Sequence, residues 1–304
     1  MYDIIVIGGG PAGMTAALYA LRNKKTVLVI EKGGFGGQIT YSPKVENFPG
    51  SLSMSGNEFA DRLLDQIMTH GAEVESETVT GIRDEGGIKQ VLTEDGVEFE
   101  AKAVIIATGV RHRMLGLSGE YELVGNGISF CAVCDGDFYS GQTVAVAGGG
   151  NSALQEATLL ADSCKEVILL QNLDHFTGEA ALAEKLLSRG NVRALMSTVI
   201  DELETENGEL RGLRIRNEKT GETSSLSCDG LFVAIGLIPE NEAFEELLDL
   251  NDFGYIDSDE SCKTKTPGIF AAGDCRSKQV RQLTTAAADG SVAALAACRY
   301  IDGE

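Results

Sequence analysis

Two glycine-rich turns, each set in the same frame, constrain this chain more than anything else in it. An apolar run, Asp3 to Ile7, leads into Gly8-Gly9-Gly10-Pro11-Ala12-Gly13; a helical run follows to Leu21, and a second apolar run from Thr26 to Ile30 ends at Glu31. The order recurs with Thr143 to Ala147, Gly148-Gly149-Gly150-Asn151-Ser152-Ala153, a helical run from Leu154 to Asp162, and Glu166 to Leu170. Strand, G-x-G-x-x-G/A turn, helix and strand within about 30 residues let a backbone approach a pyrophosphate at a helix start, where N–H groups and the helix dipole point outward. Glu31 stands where a strand-end acid accepts a hydrogen bond from a ribose hydroxyl.

The intervening segments repeat as well. Lys89 to Glu100 alternates around Asp95-Gly96, a hairpin signal, and Ala103 to Gly109 follows as a buried strand ending in Ala107-Thr108-Gly109. After the second turn come a hairpin-like Leu213 to Ser227 and the run Leu231 to Gly236. The tail, Gly268 to Asp274 and a small-residue helix from Leu283, is too short to fold alone. It is expected to complete the first domain. The predicted fold class is α/β, with two Rossmann-like dinucleotide-binding (three-layer ββα) domains, the second inserted in the first. The boundaries read 1–112 and 243–304 for the first domain and 113–242 for the second.

Charge narrows the function. With 25 basic and 46 acidic residues the formal charge is −21, which disfavours nucleic acid and anionic lipid as partners. Trp is absent and no apolar run reaches the ~18 residues of a membrane span. The N-terminus has no basic region or cleavage site, so a cytoplasmic protein is expected. Seven cysteines are present, and Cys164, Cys228, Cys262, Cys275 and Cys298 lack a sequence partner. That suits a reducing compartment rather than a disulfide framework.

Phe130-Cys131-Ala132-Val133-Cys134-Asp135-Gly136 is the most specific segment. Cysteines at this spacing can cycle between dithiol and disulfide with little motion. A zinc site needs further ligands; there is no second C-x-x-C, only three histidines, and no metal is expected. Asp135 can move protons during exchange, or simply occupy a turn before Gly136.

The C-x-x-C-D-G string just ahead of the second turn resembles low-molecular-weight thioredoxin reductases, and the resemblance spans essentially the whole chain. It implies FAD in the first domain, on Gly8, Gly10, Pro11, Ala12, Gly13, Glu31, Gly37, Gln38, Asn47, Ala107, Thr108, Gly109, Gly273, Asp274, Arg281, Gln282 and Leu283. It implies that Cys134 faces the flavin, that Cys131 exchanges with the disulfide of a thioredoxin-like protein, and that Asp135 moves protons. It also suggests a homodimer.

The second turn departs from that pattern. Relatives that use NADPH carry a His-Arg-Arg run and a further Arg, where this chain has Gln171, Asn172, Leu173 and Thr177. A 2′-phosphate needs cationic partners, so NADPH is disfavoured. Reduced ferredoxin, used by some relatives that lack the basic set, is the expected donor, with NADH the alternative. Ferredoxins are acidic, so docking calls for a basic patch, with Arg111, His112, Arg113, Lys263, Lys265, Lys278 and Arg281 as candidates. A small-molecule dithiol oxidase is a rival reading, but such relatives carry His after the second Cys, where this chain has Asp135. A non-enzymatic flavoprotein would not require the intact pair.

Overall fold

The computed structural model describes all residues, 1–304. The chain forms two compact units, Met1–Arg111 with Ile238–Glu304, and His112–Leu237. The return crossing thus falls at Leu237, ahead of the boundary read at 242. Asn241 gives the reason, because it is fully buried inside the first unit. Its Oδ1 accepts from the Thr108 hydroxyl at 3.0 Å, and its Nδ2 donates to the carbonyls of Gly254 and Cys275 at 2.9 and 3.0 Å.

In the first unit the strands Glu73–Glu75, Val27–Ile30, Tyr2–Ile7 and Glu98–Ile106 run parallel in that spatial order, and Ile269–Ala271 joins Glu98–Ile106 in parallel. Alternate residues face opposite sides. Ile4, Val6, Val27, Val29 and Ile105 pack beneath the helices Pro11–Arg22, Gly56–Thr69 and Leu283–Asp302. Ile5, Ile7, Leu28 and Ile106 pack with Ile82 and Val91 of the antiparallel strands Val79–Glu85 and Ile88–Thr93, and with Phe244 and Leu248. Parallel strands covered on both faces read as continuous apolar runs, which is why they were legible.

The second unit repeats the plan. Its parallel strands lie in the order Val192–Leu195, Glu166–Leu170, Thr143–Ala147, Gly230–Val233, Ile128–Ser129. Val144, Val146, Val167 and Leu169 pack under the helices Asn151–Leu160 and Ala180–Leu187. Ala145, Ile168 and Leu170 pack against Leu203, Leu213, Ile215 and Leu226 of an antiparallel three-stranded sheet. No helix is long and apolar enough to cross a membrane.

Leu283–Asp302 lies on Pro11–Arg22 at very close range. A Cβ at Gly290 would sit 2.2 Å from the Ala12 carbonyl oxygen, and Ala293, Ala294 and Ala297 are fully buried on the same helix. This contact fixes the start of the first glycine-turn helix. Gly290→Ala should therefore destabilise the protein by about 1–3 kcal/mol, read as a lower urea midpoint with an unchanged m-value.

Candidate active site

The first glycine turn is built to leave a helix start open. Gly8 has φ +109° and comes so close to the next strand that a Cβ would lie 2.3 Å from the Ala107 carbonyl oxygen. Gly10 is the N-cap of Pro11–Arg22, with no side chain capping the helix and no acid in its first turn. Glu31 braces the turn: one carboxylate oxygen accepts from the Gly9 N–H at 2.6 Å and the other from the Gly33 N–H at 2.8 Å. The Gly36 N–H donates to the Gly9 carbonyl at 2.8 Å, which brings Gly37 against Gly10. Gln38 is exposed beyond it. The Asn47 amide donates to Gln282 Oε1 at 3.3 Å, and Gln282 caps the last helix, which begins at Leu283.

Asp274 completes this group. A Cβ on Gly273 would lie 2.7 Å from Ala12 Cβ, so Asp274 follows directly from the start of the first helix. Its Oδ1 is buried with no hydrogen-bond partner. Burial pushes its carboxyl up, against the opposing charges of Lys278 and Arg281. Arg281 lies over the Tyr255 ring at 4.2 Å and donates to the Asp274 carbonyl at 3.3 Å. The Gly273 N–H is held at 3.1 Å by Asp289, whose carboxylate also pairs with Arg276 and Lys278. An unmatched acceptor beside an uncapped helix start fits a ligand that carries both hydroxyl donors and a pyrophosphate. FAD fits this donor and acceptor set.

Cys131 and Cys134 form a disulfide with Cα atoms 5.3 Å apart. Ala132–Asp135 is a single helical turn with Cys131 as its N-cap, and Cys131 Sγ accepts from the Cys134 N–H at 3.2 Å. An N–H aimed at sulfur favours the thiolate, the form that attacks disulfides. The Ser129 hydroxyl donates to Asp135 Oδ2 at 2.6 Å and accepts from the Cys131 N–H at 3.2 Å. Asp135 Oδ1 is buried without a partner, and burial pushes this carboxyl up while the Ser129 bond opposes it. On the neighbouring helix, Glu156 accepts from the Ala132 N–H. Burial also pushes its carboxyl up, opposed by that bond and helped by the charge of Asp135.

Residues 2–290 match the family described as pyridine nucleotide-disulphide oxidoreductase. The chain belongs to this family. It is a flavoprotein disulfide oxidoreductase. Thioredoxin reductase of Bacillus subtilis (strain 168) is 38% identical over 302 residues, 99% of this chain and 95% of that one. A "34.2 kDa protein in rubredoxin operon" of Clostridium pasteurianum is 39% identical over 303 residues, covering 99% and 98%. The crystal structure of thioredoxin reductase from Streptococcus pyogenes superposes with a TM-score of 0.95 at 38% identity, covering 100% and 99%.

The second turn differs from the first in its charge. Gln171 stands at its strand end as Glu31 does at the first, buried, with its amide 2.4 Å from where a Gly149 Cβ would be. Its Nε2 donates to the His175 carbonyl at 3.0 Å. The N–H groups of Thr177 and Gly178 both donate to the Gly149 carbonyl, and Glu179 N–H to Asn151 Oδ1. His175 and Lys219 both engage Asp174, and these contacts hold its carboxyl at about 2.

The candidate basic patch is thinned in the same way. Arg111 pairs with Glu240, Lys265 with Asp249 and Lys278 with Asp289. Arg281 is engaged as described above, and His112 stacks on Phe130 with burial lowering its pKa to about 4. Arg113 and Lys263 alone remain outside these pairings. A chain this acidic satisfies its cations locally, which the sequence could not show.

The oxidoreductase's five other cysteines are buried and unpaired, and burial raises all five thiols, Cys228 to about 12 and Cys262 to about 11. Four groups in these sites escaped the sequence reading: Ser129, Glu156, Asn241 and Asp289. Each is a lone polar residue whose partner is set by folding, and no spacing marks it.

Asp274 yields a test in two directions. A carboxyl raised in the fold stabilises it below the ordinary Asp range, and that stability is lost as pH rises through the folded value. FAD-free Asp274→Asn should then melt above FAD-free wild type at pH 8, and the difference should vanish in acid. The same variant should retain less FAD on purification.

Proposed function

We propose that this chain is an FAD-dependent thioredoxin-disulfide reductase whose electrons come from reduced ferredoxin rather than from NADPH. The observation that carries the reductase reading is the Cys131–Cys134 disulfide with Asp135 beside it, one carboxylate oxygen bound by Ser129 and the other buried without a partner. The thioredoxin reductases of Bacillus subtilis and Streptococcus pyogenes, alike over nearly the full chain, support it. FAD would be held by Gly8, Gly10, Pro11, Ala12 and Gly13 at the pyrophosphate, with Glu31 at a ribose. Gly37, Gln38, Asn47, Ala107, Thr108, Gly109, Gly273, Asp274, Arg281, Gln282 and Leu283 line the remainder. The buried, unpaired cysteines suit a reducing compartment, and the cytoplasm is the proposed location.

FAD, when bound, supplies the two electrons that open the Cys131–Cys134 bond. The chain's own residues do the rest. In the dithiol, the Asp135 carboxylate takes the proton of Cys131. The thiolate attacks one sulfur of the thioredoxin disulfide, forming a mixed disulfide and releasing a first thiolate, which takes the proton back from Asp135. Cys134 then loses its proton and attacks Cys131 Sγ. The Cys131–Cys134 bond re-forms, and the second thioredoxin thiolate leaves with that proton.

The donor reading rests on Gln171, Asn172, Leu173 and Thr177, none of which can pair with a 2′-phosphate as an arginine does. Losing several charge-assisted bonds worth about 1.5–3 kcal/mol each removes orders of magnitude in affinity. NADH is the second reading, carried by Gln171: its amide nitrogen is bound to His175, and its amide oxygen can accept from a ribose 2′-hydroxyl.

Anaerobic bleaching of the flavin with NADPH, NADH and reduced ferredoxin in parallel decides this. NADPH should be negligible and ferredoxin fast; rapid NADPH oxidation coupled to thioredoxin reduction would overturn the donor reading. Cys131→Ser should keep a reducible flavin and lose thioredoxin reduction, and ordinary turnover in that variant would overturn the assigned exchange.

A further inference from the structure

Two carboxylates are hydrogen-bonded at the redox turn, Asp135 to the Ser129 hydroxyl and a second to a backbone N–H, and the exchange uses only Asp135. The second is Glu156, halfway along the Asn151–Leu160 helix. It is half-buried rather than turned to solvent, and it accepts a hydrogen bond from the backbone N–H of Ala132, the residue that follows Cys131. A carboxylate at that place could be nothing more than a local tie between a helix and a turn. Its charged surroundings argue otherwise. The redox turn, the 3-10 turn Gly136–Tyr139 and the Asn151–Leu160 helix together contain Asp135, Asp137 and Glu156 and no basic residue. Tyr139 is the remaining titratable group there, and its hydroxyl is raised to about 12 by burial and by the charge of Asp135. The charged residues on the other elements near the Glu156 helix are Glu166, Glu184 and Lys185, and the charge of Asp135 pushes the Glu156 carboxyl up.

We propose that Glu156 is a positioning residue of the disulfide chemistry: it fixes the Cys131 end of the redox turn through the Ala132 N–H, and its charge governs the proton held by Asp135 and the ease with which Cys131 becomes a thiolate. The two parts of the role are separable. The hydrogen bond needs only an acceptor oxygen, which glutamine also has. The electrostatic part needs the negative charge. A like charge beside Asp135 and the thiols holds their protons on, so removing it releases them at lower pH. This rests on the redox pair and on neither the donor nor the thioredoxin partner.

The test uses the FAD-loaded enzyme, reduced with dithiothreitol, desalted, and mixed with the small aromatic disulfide 5,5′-dithiobis(2-nitrobenzoate) between pH 5.5 and 9. Glu156→Gln should react about fivefold faster than wild type at pH 6 and equally fast at pH 9, the signature of an acid limb moved to lower pH. Glu156→Ala should react more slowly than Glu156→Gln at every pH and more slowly than wild type at pH 9, since the Ala132 N–H then has no acceptor. Circular dichroism melting of both variants identifies any that is misfolded. A Glu156→Gln profile that overlays wild type would overturn the electrostatic role whatever the alanine variant does. An alanine variant as fast as wild type at pH 9 would overturn the positional one. Neither result would bear on donor choice or on thioredoxin as substrate.

Discussion

The helix that begins at Pro11 carries backbone N–H groups with no side chain to meet them, and the rest of the first unit is arranged so that this stays true. Gly8 tucks the strand end against Ala107, Glu31 ties down Gly9 and Gly33, and Gly290 allows the last helix to lie against Ala12. Each of these contacts positions backbone without covering the helix start. Asp274 is then brought alongside with an oxygen that nothing in the protein satisfies. Unmet donors and an unmet acceptor at one place are unfavourable in an empty protein. They are tolerated because a ligand that meets both stabilises the fold by mass action.

The sequence displayed the backbone plan well and the side-chain networks poorly, for a physical reason. Strands buried on both faces and glycines forced by close approach leave local signatures, so the glycine turns, the strands read as Asp3 to Ile7 and Thr143 to Ala147 and the redox pair could all be read. The second boundary was misplaced because Asn241, an unremarkable loop residue, is held by Thr108 and Cys275, which lie far from it in sequence. Glu156 was missed in the same way, being a helix-face acid whose meaning comes from an N–H on another element.

The electrostatics of the second turn are of one piece with this. Its shape is that of the first turn: a tight glycine loop, an uncapped helix at Asn151 and a polar residue tucked under the second glycine. Only the charge differs. Glutamine stands where the first turn has an acid, and Lys219 is tied to Asp174. A turn can therefore keep its geometry, which the fold requires, while its charge differs.

The buried cysteines carry a consequence of their own. A protein that shuttles thiols and disulfides is exposed to its own chemistry, because any reactive sulfur nearby could join a mixed disulfide and trap it. Here sulfur is divided into two classes, chiefly by burial. One pair sits at an N–H-lined turn, and five thiols are sealed away where their ionised forms are disfavoured. The molecule is in effect wired, with a single live terminal and insulated metal elsewhere. Insulation of the five thiols then depends on how well the interior excludes water.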